Sequence, residues 1–426
     1  MSRTQVRAVA VVAALSALDG YDVLSMTFAA PGISKAWNVD KGVLGLALAS
    51  GLVGMAVGSL LLAPFADRYG RRRIVVVNLL LMIGGMLMAA FAGSIVELSV
   101  MRVVTGIGIG GMVPIIVPLA AEFANSRRRR LALAVMSIGY PIGGLVGGLV
   151  AAWLLHSYDW RAVFLFGAGM GLLLLVAVLI WLPEPLAFLL TRRDPDSLER
   201  VNAYLLRCGQ RPITILPQST QPSTATPYRQ IFSPAQRGST LTIMTVNLLF
   251  ITTVYYMLSW MPQIVADAGH TASFATLVAT AASLGGILAC IAVGAVGERL
   301  DLRATVATLM IGFSVFTIVF GVTPATPAAL LVVGGLAGVF LYSGTLGLYA
   351  LIVETFEPGM RTTGVGFVMG IGRAAGAVAP ALAGHLFAIG TGRAGVSAIM
   401  AIGALIAGLL VMSMSVRHAQ RLAPAA

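Results

Sequence analysis

Residues 63–73 read Ala63-Pro64-Phe65-Ala66-Asp67-Arg68-Tyr69-Gly70-Arg71-Arg72-Arg73, a compact block of charge between two long apolar stretches. A degenerate copy stands at residues 294–303, Gly294-Ala295-Val296-Gly297-Glu298-Arg299-Leu300-Asp301-Leu302-Arg303. Glu122 ahead of Arg127 to Arg130 corresponds, at nearly the same offset, to Glu354 ahead of Arg361. The chain is therefore a tandem repeat. Two copies in parallel topology with a ligand site at midplane between them are the plan of a transporter in which one half rocks against the other.

Outward from the repeat, apolar runs predict spans at 7–31, 43–66, 74–92, 97–122, 131–155 and 161–183, then at 239–266, 272–297, 303–322, 327–353, 362–388 and 394–416. Between the sets the composition turns to Pro, Ser, Thr, Gln and Arg, which cannot bury a core. The expected organisation is an all-α polytopic membrane protein: an N-terminal six-helix bundle over 1–183, a cytoplasmic linker over 184–238 and a C-terminal six-helix bundle over 239–426.

Composition agrees. Of 426 residues 58% are hydrophobic and 10% charged, with a mean hydropathy of +0.92. Soluble domains have roughly 45–50% apolar and about 25% charged residues. A water-soluble enzyme and a single-pass receptor are excluded, and so is an outer-membrane barrel, because the apolar runs are long and do not alternate. The net charge of +12 is a topology signal. Twenty-two of the 28 basic residues fall on one side if the N-terminus is cytoplasmic; Lys35, Lys41, Arg161 and Arg393 lie outside, and Arg102 and Arg373 inside spans. This positive-inside bias predicts a cytoplasmic (inner) membrane protein with both termini cytoplasmic, and argues against nucleic acid as a partner. Arg3 and Arg7 ahead of an apolar run imitate a secretory signal, but Asp19 and Asp22 within that run favour an uncleaved first span. Two cysteines, Cys208 and Cys290, support neither a disulfide framework nor a metal site, so no metal or cofactor is expected.

The chemistry then rests on carboxylates, arginines and aromatics. Asp19 and Asp22 share a helix face, and two acids in one span need a cavity, a partner or a proton. They are the expected proton-coupling pair; the plainer alternative is packing in neutral form. At 1.5 Å per residue Asp22 and Arg102 lie at about the same height, ~22 Å from the cytoplasmic face, and Asp19 and Arg373 lie at ~17–18 Å in opposite halves. Arg102 is expected to pair with Asp22, and Arg373 to grip an anionic substrate through its bidentate fork. The alternative is two structural ion pairs. Tyr255, Tyr256, Trp260, Tyr342 and Tyr349 are candidates for an aromatic wall, although such residues in spans often only pack. Gly106-Ile107-Gly108-Ile109-Gly110-Gly111 satisfies a dinucleotide-binding pattern but follows no strand; it and Gly139, Gly143, Gly147, Gly366 and Gly370 read as close helix contacts.

The block Asp67-Arg68-Tyr69-Gly70-Arg71-Arg72, its degenerate copy, and Arg102 ahead of Gly106-Ile107-Gly108 resemble signature motifs of the major facilitator superfamily. Asp19-Gly20-Tyr21-Asp22, Glu122-Phe123 and Tyr256-Met257-Leu258-Ser259-Trp260-Met261-Pro262 resemble, more narrowly, the aromatic acid:proton symporter family. The resemblance covers nearly the whole chain; Ala63 departs from the glycine that usually opens the loop. It implies that Asp67, Arg68, Arg71, Arg72, Glu122, Glu298, Arg299, Glu354 and Arg361 gate the cytoplasmic side, bridging the halves when the protein faces outward. The expected function is proton-coupled uptake of small aromatic carboxylates, benzoate or hydroxybenzoate-like, by alternating access. The working unit is expected to be a monomer in the bilayer, driven by the proton gradient. A drug or metabolite exporter, hinted at by Pro141-Ile142-Gly143-Gly144, and a non-transporting sensor acting through the linker are the alternatives.

Overall fold

The computed structural model describes residues 1–125, 128–186, 197–207, 210, 212–213, 231–234, 236–296, 301–356 and 361–414; among helical residues the side chains of Asp67, Arg68 and Arg361 also lie outside the description. The helices are α1 (Arg3–Trp37), α2 (Lys41–Tyr69), α3 (Arg71–Ala90), α4 (Ile95–Phe123), α5 (Arg129–Ser157), α6 (Arg161–Trp181), the short α7 (Ser197–Arg207), α8 (Arg237–Asp267), α9 (Ala272–Val296), α10 (Leu302–Val322), α11 (Pro327–Thr355), α12 (Arg361–Ala388) and α13 (Arg393–Ser413). Among the described residues, twelve helices are long and apolar enough to cross a membrane. Lipid offers backbone groups no hydrogen bonds, so apolar runs of this length close their ladders internally as helices.

The helices outrun several expected spans. α1 passes through Pro31 to Trp37, because a proline inside a packed membrane helix is tolerated. Polar ends are capped: Ser2 and Gln5 form a reciprocal capping box on α1, Asp40 accepts the Gly42 N–H at 2.7 Å, Ser94 that of Glu97 at 3.2 Å, and Asp301 that of Ala304 at 2.8 Å. Each cap satisfies donors that the first turn leaves open. The helices therefore start where the chain leaves the loop.

α1–α6 pack together, as do α8–α13, and the groups meet where α2 lies along α12, α5 along α9 and α1 along α8. Twelve crossings return the chain to its starting side; that end is here the termini end, and the opposite one the distal end. Exposed Leu172, Leu173 and Ile180 on α6 are ordinary for a surface solvated by lipid. At the termini end Arg71 pairs with Glu122, Arg72 Nη2 donates to the Leu179 carbonyl at 2.6 Å, and Glu184 Oε1 accepts the Arg72 N–H at 3.3 Å. Burial pushes the Glu184 carboxyl above the usual carboxylate range.

Where helices cross most closely they do so on glycine. A Cβ on Gly143 would overlap the Ala17 carbonyl, and Gly139 and Gly147 likewise lie against Ala13 and Tyr21 of α1. Gly366 and Gly370 depart from expectation, with no described neighbour within 4 Å of an added Cβ. Among the described residues neither seats a helix. Gly143→Ala is accordingly expected to push α5 off α1 and destabilise by about 1–3 kcal/mol, seen as a lower thermal midpoint in detergent. Gly169→Ala on α6, with open space around it, should be neutral or slightly stabilising.

Candidate substrate and proton site

Asp22 and Arg102 form a closed unit between α1 and α4. Arg102 Nη1 donates to Asp22 Oδ1 at 2.7 Å and Nη2 to the Asp22 carbonyl at 3.0 Å, with side-chain exposures of 3% and 0%. Ser25 Oγ donates to the Asp22 carbonyl at 2.7 Å and stands 3.4 Å from both Asp22 Oδ1 and Arg102 Nη1. The guanidinium lies 5.8 Å from the centre of the Phe164 ring, and Gly51 leaves it room on α2. Two charges without water are tolerable only when paired and hydrogen-bonded. Asp22 Oδ2 and Arg102 Nε have no hydrogen-bond partner among the described residues. A pocket lined by Thr27, Gly51, Arg102, Tyr255 and Ser259 runs from this unit to α8; its free volume of about 20 Å³ suits one water.

One turn away, Asp19 faces the other group. It is 2% exposed, its Oδ1 lacks a described hydrogen-bond partner, and Arg373 of α12 and Asp22 are within electrostatic reach. Within electrostatic reach of Tyr140 on α5 lie Asp19, Tyr255 of α8, and Tyr342 and Tyr349 of α11. Arg373, half-buried, is within electrostatic reach of Tyr255 and Tyr349. Tyr342 Oη lies 3.4 Å from Ser283 Oγ. A carboxylate, a guanidinium and four phenols, drawn from five helices of both groups, are thus brought within electrostatic reach of one another. Such a constellation can grip an anion, hold a ring between phenol faces and hold a proton.

The sequence profile of the Major Facilitator Superfamily matches residues 10–274 and 243–425, nearly the whole chain. The chain belongs to that superfamily. It is 30% identical over 409 residues to a gallate transporter of Pseudomonas putida, covering 93% of this chain and 88% of that one. It is also 30% identical to a 3-(3-hydroxy-phenyl)propionate transporter of Escherichia coli, covering 95% and 92%. Among solved structures, the xylose transporter of E. coli in a partially occluded inward open conformation superposes with a TM-score of 0.75 over 97% of this chain and 98% of that one, at 15% identity. This last likeness concerns the fold.

Within this superfamily fold the other expected residues separate by the helix face they occupy. Tyr256 and Trp260 are fully buried and face neighbouring helices: Tyr256 Oη lies 2.8 Å from Ser397 Oγ of α13, and Trp260 Nε1 donates to the Pro380 carbonyl at 3.1 Å. The rotation of α8 that turns Tyr255 toward the cluster turns Tyr256 about 100° away, and Trp260, one turn on from Tyr256, shares that second face. Tyr21 likewise points outward, its hydroxyl donating to the Val163 carbonyl at 2.6 Å. Tyr140 was not among the expected residues. Its position beside Gly139 and Gly143 was the available signal, since glycines that seat α5 on α1 bring Tyr140 against Gly20, within reach of Asp19.

Of the expected gating charges, Arg71 and Glu122 pair with each other inside the first group. Glu354 is exposed at the end of α11. Asp67, Arg68, Glu298, Arg299 and Arg361 fall outside the described side chains.

Contacts between the groups run from midplane to the distal end. Gly45 of α2 packs on Gly384 and the Pro380 carbonyl of α12, Ser273 Oγ of α9 donates to the Ala152 carbonyl of α5 at 2.7 Å, and Gly148 lies against Thr280. The distal end is closed over the central cluster. Tyr349 of that cluster is 38% exposed.

Proposed function

We propose that this chain imports small aromatic carboxylates with protons across the cytoplasmic membrane by alternating access. The observation that carries the reading is the facing of Asp19 and Arg373 across the two groups amid Tyr140, Tyr255, Tyr342 and Tyr349. Arg373 binds the carboxylate and the phenols bracket the ring. Asp19 and Asp22 carry the proton: an acid beside a guanidinium holds its charge, and binding of a substrate anion by Arg373 removes that support and favours protonation. Import of an anion against an inside-negative potential is opposed, and each co-transported proton offsets one negative charge.

Residues 1–183 and 239–426 act as the two moving bodies, joined by the linker at 184–238, with one copy of the chain as the working unit. With both termini in the cytoplasm, as the basic loops support, the closed distal end faces outward and the structure is an inward-facing state. Asp67, Arg68, Arg71, Arg72, Glu122, Glu298, Arg299, Glu354 and Arg361 serve the cytoplasmic gate when the protein turns outward. Similarity to transporters whose names specify gallate and hydroxyphenylpropionate supports the substrate class. The exporter reading loses its one feature, because Gly143 and Gly144 lie in packing contact with Ala17 and Ser283.

The test is counterflow of labelled benzoate and 4-hydroxybenzoate in proteoliposomes. Transient accumulation of label against excess internal unlabelled acid is expected. Its absence for every aromatic acid, with exchange of cationic drugs instead, would refute the assignment.

A further inference from the structure

Charges at the distal end form an organised contact between the two groups. Lys41, first residue of α2, places its Nζ 2.7 Å from Asp267 Oδ2 at the last turn of α8. Gln263, one turn earlier and 4% exposed, donates from Nε2 to Asp267 Oδ1 at 2.8 Å, fixing the carboxylate. The ammonium lies 5.3 Å from the centre of the Phe387 ring of α12, and that ring packs on Trp260 with centroids 4.8 Å apart. Trp260 in turn closes against Gly45 of α2. A surface cavity of about 430 Å³, lined by Lys41, Asp267, Phe387, Thr391 and Arg393, opens beside the pair. Lys41 belongs to one moving body; Asp267, Gln263, Phe387 and Trp260 belong to the other.

We infer that Lys41 and Asp267 are the latch of the distal gate: they hold the two groups together over the substrate site and part whenever the protein opens to the distal side. Trp260 and Phe387 are the apolar seal beneath them, which gives Trp260 a role its burial denies it as a substrate contact. The side chains are 39% and 35% exposed. A pair so placed contributes modestly and is screened by salt, as befits a contact that must open in each cycle. A buried pair such as Asp22–Arg102 could not be parted so cheaply. The inference rests on the two groups moving against each other, and it is independent of which substrate they carry.

The test measures the gate without substrate. In full-length protein with Cys208 and Cys290 replaced by Ser, nitroxide labels on Tyr158→Cys and Ile389→Cys, exposed distal positions on opposite groups, report their separation by double electron–electron resonance in nanodiscs. Lys41→Met and Asp267→Asn are each expected to raise the population with distally separated groups by about two- to fivefold relative to the closed one. The double variant should do no more than either single one, and the charge swap Lys41→Asp with Asp267→Lys should restore the closed population. Raising ionic strength to ~1 M should shift the parent in the same direction and leave the double variant unmoved. Additive single effects, no rescue by the swap, or an unchanged distance distribution would overturn the latch. If the distances respond as expected while counterflow of aromatic acids fails, the latch stands and the substrate assignment falls.

Discussion

Asp22→Asn should abolish concentrative uptake, bringing the accumulation ratio under an imposed pH gradient down to about one. The substitution keeps the shape of the side chain but leaves it unable to take up or release a proton. It also leaves Arg102, whose side chain is 3% exposed, without the carboxylate it contacts at 2.7 Å. Breaking one side of such a buried pair costs about 3–5 kcal/mol, so the single variant should also unfold at a lower temperature. A second variant separates the two effects. Asp22→Asn with Arg102→Met removes both charges and should regain much of the thermal stability while remaining unable to concentrate substrate. Asp19→Asn should impair accumulation as well, because Asp19 lies between Asp22 and Arg373 electrostatically. The measurement is uptake of labelled 4-hydroxybenzoate into proteoliposomes with an acid exterior. If Asp22→Asn and Asp19→Asn both accumulate substrate like the parent, the protons are carried elsewhere.

Arg373→Ala should weaken binding of the aromatic carboxylate by about 2–5 kcal/mol, roughly thirty-fold to several-thousand-fold, the usual result of truncating one side of a desolvated charge pair. Arg373→Lys should fall between, since it keeps the charge and loses the planar fork. The matching uncharged amide should bind the parent poorly and hardly distinguish parent from Arg373→Ala. Calorimetry on acid and amide with parent and variant closes a thermodynamic cycle that isolates the carboxylate contact. Equal weakening of both ligands would make Arg373 a structural partner of Asp19 and send the search for the clamp to neutral donors such as Tyr140, Tyr255 and Tyr349.

Much of the architecture could be read without coordinates. Run length and loop charge predicted twelve spans, because a membrane imposes a minimum apolar length and no alternative to the helix. The Asp22–Arg102 pair was legible too: depth along a helix follows from a fixed rise per residue, and a buried charge demands a partner at its own depth. The same arithmetic set Asp19 level with Arg373.

Rotation about the helix axis and packing between distant helices were not legible. Lipid is as apolar as a protein core, so a membrane helix that packs on one face and meets lipid on another carries little difference in hydropathy between them. Tyr255 and Tyr256 are therefore indistinguishable in the sequence. Only the seating of α8 against α12 and α13, through contacts such as the Asn247 Nδ2 bond to the Val368 carbonyl at 2.7 Å and the Thr253 Oγ1 bond to the Met400 carbonyl at 2.7 Å, turns Tyr255 to the cluster and Tyr256 to Ser397. Tyr140 joins the site because glycines let α5 approach α1, and Lys41 meets Asp267 because α2 lies along α12 beside the end of α8. The sequence by itself determined the number of membrane-spanning helices and the pairing of Asp22 with Arg102. Tertiary structure alone decided which faces look inward and which distant charges touch, since those follow from how helices seat on one another in a solvent that does not sort their sides.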